Sequence, residues 1–85
     1  MTIVQATINQ SLCSIQEQQG YRAVPLNAEL RVVKELGFSS LDVAQLIAVL
    51  EMELGVDPFS EGVSIMEVQT VGELYKVYGD SLAKQ

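Results

Sequence analysis

Residue types that catalysis and metal binding depend on are scarce in this chain. Its 85 residues include no histidine and a single cysteine, Cys13. Without histidine the chain cannot build a Ser–His–Asp or Cys–His catalytic arrangement, a histidine-ligated zinc site or a histidine pH switch. One cysteine cannot close an intrachain disulfide or supply a cysteine-rich metal site. We therefore predict no catalytic residue, no metal site and no enzymatic activity of its own.

Basic residues are also few. Five lysines and arginines stand against 11 aspartates and glutamates, which gives a net charge of −6. Nucleic-acid binding relies on basic contacts to phosphate, so this balance argues against a nucleic-acid partner. Residues 35–80 are the most acidic part, with nine acids against Lys76 alone. Such a surface suits partners that carry a basic docking patch, although most acidic runs are only solvated faces.

Long apolar segments are missing as well. The longest run is Ile47-Ala48-Val49-Leu50, far shorter than a membrane span. The first residues lack both the basic and the apolar region of a targeting segment. Because 48% of the chain is apolar and 19% is charged, it has the composition of a globular protein. We expect one domain over residues 1–85, monomeric and cytoplasmic.

Helix signals are plentiful. A helix start is marked by a capping box, in which the side chains of the N-cap residue and of the residue three positions later each accept from the other's backbone amide. These pairs are Thr2 with Gln5, Ser39 with Asp42, Ser64 with Glu67, and Thr70 with Glu73. Apolar residues at helical spacing follow, and Gly20 and Gly55 provide stops. The predicted helices run over residues 2–19, from about Ser40 to Leu54, and from about 71 to 82.

The remaining segments are short or irregular. Residues 20–38 contain Pro25 and read as a long connection, with a possible short helical stretch from Ala28 to Glu35. Its apolar residues available for packing are Val24, Leu26, Leu30, Val33 and Leu36. No stretch alternates like a strand. The predicted class is all-α: a small four-helix bundle, with three main helices, a short third helix and a long first loop.

Ser40 is the candidate functional residue. If Ser39 caps the helix, Ser40 takes the first helical position outside the apolar stripe. The unpaired amides and partial positive charge of a helix N-terminus favour a phosphate attached there. The motif contains no base, so any chemistry at Ser40 requires another enzyme. On the capping pattern alone, the favoured interpretation is that both serines simply start a helix.

The segment Leu36-Gly37-Phe38-Ser39-Ser40-Leu41-Asp42 resembles the attachment motif Leu-Gly-x-Asp-Ser-Leu-Asp of acyl carrier proteins. The likeness continues through Leu54-Gly55-Val56 and Thr70-Val71-Gly72-Glu73-Leu74. It implies that Ser40 carries covalent 4'-phosphopantetheine, whose thiol holds acyl intermediates as thioesters. It also implies a four-helix bundle with a long first loop.

The resemblance further implies partners. A phosphopantetheinyl transferase would install the arm, a ligase or acyltransferase would load it, and synthase, condensing or transferase enzymes would use the cargo. In this family partners recognise the second helix. The corresponding docking residues are Ser39, Leu41, Asp42, Ala44, Gln45, Ala48, Glu51 and Met52.

Three positions depart from the family pattern. Ser39 replaces the usual aspartate, and Gln45 and Met52 stand where fatty-acid carriers often have acids. These changes favour a dedicated pathway, such as polyketide, peptide or aminoacyl chemistry, over housekeeping fatty-acid synthesis. Asp42 after Leu41 favours an acyl carrier over a peptidyl or aminoacyl carrier. A helical interaction module without a prosthetic group remains the alternative from another class.

Overall fold

Three α-helices and one 3₁₀ turn make up the regular structure of a computed structural model, which describes residues 2–21, 25–60 and 62–84. The helices are α1 (Ile3–Gln19), α2 (Ser40–Leu54) and α3 (Val71–Ala83), and the 3₁₀ turn is Ile65–Glu67. These ranges contain no β-strand, only an isolated bridge between Arg31 and Thr70. The all-α prediction is confirmed, while the expected short helix is present only as the 3₁₀ turn. Within the same ranges, no helix is both long and apolar enough to cross a membrane.

All three α-helices begin as predicted. At Thr2, Ser39 and Thr70 the capping side chain accepts from the backbone three residues on, and that residue's side chain accepts from the cap backbone. These contacts satisfy amides that have no partner inside the helix. Gly20 and Gly55 end α1 and α2 with φ of 70° and 75°, a left-handed conformation that glycine adopts without strain.

One hydrophobic core joins the helices to the connections between them. Its buried helical residues are Ile8, Leu12 and Ile15 of α1, Leu46 and Leu50 of α2, and Val71, Leu74 and Tyr78 of α3. The connections add Leu30, Val32, Leu36, Phe38 and Val56. Removal of these apolar groups from water is the main force that holds α1 against α2 and α3.

The first connection packs closely on the core without forming the possible helix. Leu30 and Leu36 are buried, Leu26 is half-buried and Val33 is exposed, whereas the predicted packing of Val24 falls outside the described residues. Local turns replace the helix over 28–36. Their first turn is held by the Asn27 side chain, which accepts from the amide of Glu29 at 3.0 Å.

Backbone hydrogen bonds tie this connection to the start of α3. The amides of Gly72 and Val71 donate to the carbonyls of Ala28 and Leu30 at 2.8 and 2.9 Å. The amide of Val32 donates to the carbonyl of Gln69 at 2.9 Å. We call this set of three bonds the loop strap. It fixes the connection that leads into Ser40 against the start of α3.

Two residues with weakly polar or apolar side chains lie outside this core. Cys13 is exposed on α1, and Met66 is exposed in the 3₁₀ turn. Neither is among the buried residues that join the helices.

Candidate functional site

Ser40 is the first residue of α2 and is exposed. The preceding Ser39 turns its hydroxyl toward the backbone of α2, where Oγ accepts from the Asp42 amide at 3.2 Å. Ser40 makes no side-chain hydrogen bond within the described residues. The two serines therefore differ in role: Ser39 caps the helix, and Ser40 presents a hydroxyl to solvent.

Asp42 completes the cap and has a second partner that sequence reasoning missed. Its Oδ2 accepts from the Ser39 amide at 2.9 Å and from the Tyr21 hydroxyl at 2.5 Å. The Tyr21 ring lies against Phe38, with 6.1 Å between centroids. With only 3% of its surface exposed, Asp42 is a poor contact for a basic partner, contrary to its expected docking role. Nothing in the local pattern around Asp42 points to Tyr21, because 21 residues separate them.

These bonds alter the acidity of both partners. The hydrogen bond from Tyr21, followed by that from the Ser39 amide, lowers the pKa of Asp42 below its usual value. The same hydrogen bond to Asp42 raises the pKa of Tyr21. Asp42 therefore stays a carboxylate to lower pH than an ordinary aspartate does.

Loss of this charge at low pH should destabilise the fold. Because folding lowers the Asp42 pKa, its contribution is complete above the ordinary aspartate pKa of about 3.9 and is lost as pH falls below it. Thermal unfolding monitored by circular dichroism would test this. Between about pH 5 and pH 3, we expect the melting temperature of Asp42→Asn to fall less than that of the parent. The lowered pKa of Glu73 adds to the acid sensitivity of both proteins equally. Parallel falls in the two proteins would contradict this prediction.

An apolar cavity of about 460 Å³ begins beside Ser40. It lies between α2, the first connection and the 3₁₀ turn. Its lining consists of Ser40 together with Val32, Val33, Phe38, Val43, Ala44, Leu46, Ile47, Phe59, Ile65, Met66, Val68 and Leu74. A hydroxyl at the edge of an otherwise apolar cavity suits a ligand that is attached at one end and hydrophobic beyond it.

The expected docking residues fall into two groups. Ser39, Leu41, Ala44, Ala48, Glu51 and Met52 are exposed. Leu41 and Met52 are the most open of the large apolar side chains on α2, at 81% and 84% exposed. Gln45 is half-buried and donates to Gln18 of α1 at 2.8 Å, and Asp42 is buried. The exposed part of α2 is therefore more apolar than its acidic composition indicates.

The residues present at this site fit a phosphate ester on Ser40. The hydroxyl is accessible, and the N-terminus of α2 places positive partial charge beside it. Tyr21 and the Ser39 amide both donate to the neighbouring Asp42 carboxylate, which moderates its repulsion of an added anion.

Comparison with known families agrees with this geometry. The family model described as phosphopantetheine attachment site matches residues 14–77, a range that contains Ser40, all of α2 and every residue lining the cavity. No solved structure matches the chain significantly. Members of the family bear 4'-phosphopantetheine covalently and serve as carriers for partner enzymes rather than as catalysts. By the extent of this match, the chain belongs to the phosphopantetheine attachment-site family, which includes the acyl carrier proteins.

Proposed function

We propose that the protein is an acyl carrier protein in which Ser40 bears the 4'-phosphopantetheine arm. The observation that carries the proposal is the exposed Ser40 hydroxyl at the N-terminus of α2, beside an apolar cavity of about 460 Å³. When present, the arm supplies a thiol on which acyl groups are held as thioesters. The pathway we favour is a specialised one, of fatty-acid-like or polyketide type.

The chain's own residues present and orient the attachment point. In the transfer, the Ser40 oxygen would bond to the phosphorus that bears the pantetheine arm, the pyrophosphate linkage of coenzyme A would break, and adenosine 3',5'-bisphosphate would leave. A base must take the hydroxyl proton, and the sequence has no histidine to do so. That base belongs to a phosphopantetheinyl transferase. A ligase or acyltransferase would then load the thiol, and a synthase, condensing enzyme or transferase would receive the cargo.

The cavity favours acyl over aminoacyl cargo. Ser40 is the only polar residue in its lining within the described part of the chain. Burying methylene groups there is favourable, whereas an aminoacyl ammonium would lose hydration without gaining a partner. A peptidyl or aminoacyl carrier therefore ranks second, and an acidic interaction module without a prosthetic group ranks third.

The decisive measurement is intact-protein mass after incubation with coenzyme A and a broad-specificity phosphopantetheinyl transferase. We expect the parent to gain one phosphopantetheine and Ser40→Ala to gain none. Ser39→Ala is the matched control: it loses the cap, at about 1 kcal/mol of stability, but keeps the Ser40 hydroxyl and should still be modified. No gain in the folded parent would reject the carrier function and favour the interaction module. A gain in Ser40→Ala would reject the site.

We also propose that partner enzymes dock on the exposed surface of α2. The apolar surface of Leu41, Ala44, Ala48 and Met52 supports this, with Glu51 as its acidic group. These positions recur every three or four residues and so share one side of the helix. Exposed apolar groups gathered in this way are typical of interaction sites. The matching partner surface would combine an apolar depression with a basic group facing Glu51.

Transferase kinetics can test this docking surface. We expect Leu41→Asp and Met52→Asp each to raise the KM of the transferase about tenfold, the effect of losing roughly 1.4 kcal/mol of contact, with the melting temperature nearly unchanged. Ile3→Asp on α1 is the matched control, since Ile3 is similarly exposed at 79%. An equal rise in KM for Ile3→Asp, or no rise for either α2 variant, would argue against docking here.

A further inference from the structure

A second groove adjoins the cavity at the end marked by the 3₁₀ turn. Its volume is about 290 Å³. Val33, Ile65, Met66 and Val68 line both spaces, so the groove shares an apolar wall with the cavity that Ser40 also lines. The side chains found only in the groove are Arg31, Lys34 and Gln69.

This groove gathers positive charge in a protein that has little of it. Two of the chain's five basic residues, Arg31 and Lys34, line it. Arg31 is partly engaged, with its Nε 3.5 Å from the Glu35 carboxylate. Lys34 is exposed and forms no ion pair within residues 2–21, 25–60 and 62–84. Lys34 is therefore the cation best placed to meet an anion in the groove.

We propose that this groove binds a carboxylate at the far end of the acyl cargo, which makes acyl groups derived from dicarboxylic acids the cargo class of this carrier. The inference rests on the proposed attachment at Ser40. The methylene groups of such a cargo lie along the shared apolar wall, and the terminal carboxylate reaches Lys34 and Arg31. A purely hydrocarbon chain would gain nothing from two cations at this end.

Charge complementarity favours this occupant. The net charge of −6 repels an anionic cargo from most of the protein surface, so a local pair of cations gives the carboxylate one preferred place. Lysine and arginine both form charge-assisted hydrogen bonds with carboxylates. Because the groove is open to solvent, the contribution is modest and sensitive to salt.

The test compares two cargoes of equal length on the intact protein. The transferase installs the arm from coenzyme A, octanoyl-coenzyme A or suberyl-coenzyme A. The increment for each cargo is the melting temperature of the loaded form minus that of the form made from coenzyme A alone. We expect suberyl to stabilise the parent, and Lys34→Met to remove at least half of that increment while leaving the octanoyl increment unchanged. High salt should reduce only the suberyl increment. Lys76→Met on α3, outside the groove, is the matched control.

Amide chemical shifts give a second readout. Suberyl cargo should shift the backbone amides of Lys34 and Gln69 beyond the shifts that octanoyl causes. The proposal is overturned if suberyl does not raise the melting temperature, or if Lys34→Met changes the suberyl and octanoyl increments equally. It is also overturned if Lys34→Met lowers the melting temperature of the form that bears the arm alone by as much as that of the suberyl form. That last result would assign Lys34 to the arm's phosphate. Failure to install the arm would instead reject the proposed function, so the two failures are distinguishable.

Discussion

Tyr78→Ala is expected to leave little folded protein at room temperature. Tyr78 is fully buried in α3, and its ring meets that of Phe59 edge-on with 6.1 Å between centroids. Removing a large aromatic side chain from a core costs about 3–5 kcal/mol. A single core in a domain of this size supplies no more than about that amount of net stability. Urea unfolding followed by circular dichroism should show a stable parent and a variant without a folded baseline.

The conservative variant Tyr78→Phe separates the ring from its hydroxyl. The Tyr78 hydroxyl is buried and has no hydrogen-bond partner among the described residues. Burial, together with the negative charges of Asp57 and Glu51, raises the pKa of Tyr78 far above its usual value, so the group stays neutral. Because an unpaired buried hydroxyl costs desolvation energy, its removal should be neutral or stabilising. A loss above about 1 kcal/mol would show that the hydroxyl contributes an interaction.

The two glycines of α3 should respond to alanine in opposite directions. A Cβ on Gly72 would lie 2.8 Å from the carbonyl oxygen of Ala28, within the loop strap. Relief of that clash requires backbone movement, so we expect Gly72→Ala to lose about 1–3 kcal/mol despite alanine's better helix propensity. A Cβ on Gly79 has nothing within 4 Å, so Gly79→Ala should gain up to about 1 kcal/mol.

Thermal and urea unfolding of both variants would measure this difference. The comparison is matched, because the same substitution is made twice in one helix. If Gly72→Ala were stabilised as much as Gly79→Ala, the strap would not hold the connection as closely as the 2.8 Å bond between Gly72 and Ala28 indicates.

Helix positions were predictable because their determinants are local. Each capping box lies within four residues, and Gly20 and Gly55 end α1 and α2 through their own backbone conformation. The exposed position of Ser40 followed from the same reasoning, since identifying Ser39 as the cap fixes Ser40 as the first helical residue. The structure therefore agrees with the sequence most closely where chain neighbours interact.

Contacts between distant segments were not predictable from one sequence. The bond from Tyr21 to Asp42 converts an expected docking acid into an internal partner. Tyr75 likewise donates to Asn9 across 66 residues. The positions of Arg31 and Lys34 beside the cavity depend on the turns over 28–36, which replaced the possible helix. Each of these depends on how the segments meet, which helical spacing does not encode.

The loop strap constrains the length of the chain more than its composition. Its bonds join backbone atoms, so the exposed side chains of Glu29, Arg31 and Gln69 can change without breaking them. The other side chains of segments 28–32 and 69–72 are constrained by the core, by the cap of α3 or by the close approach at Gly72. An inserted residue between Ala28 and Leu30 would instead move one carbonyl out of register with the amides of Val71 and Gly72. Insertions or deletions inside these two segments would therefore also displace the connection that leads into Ser40.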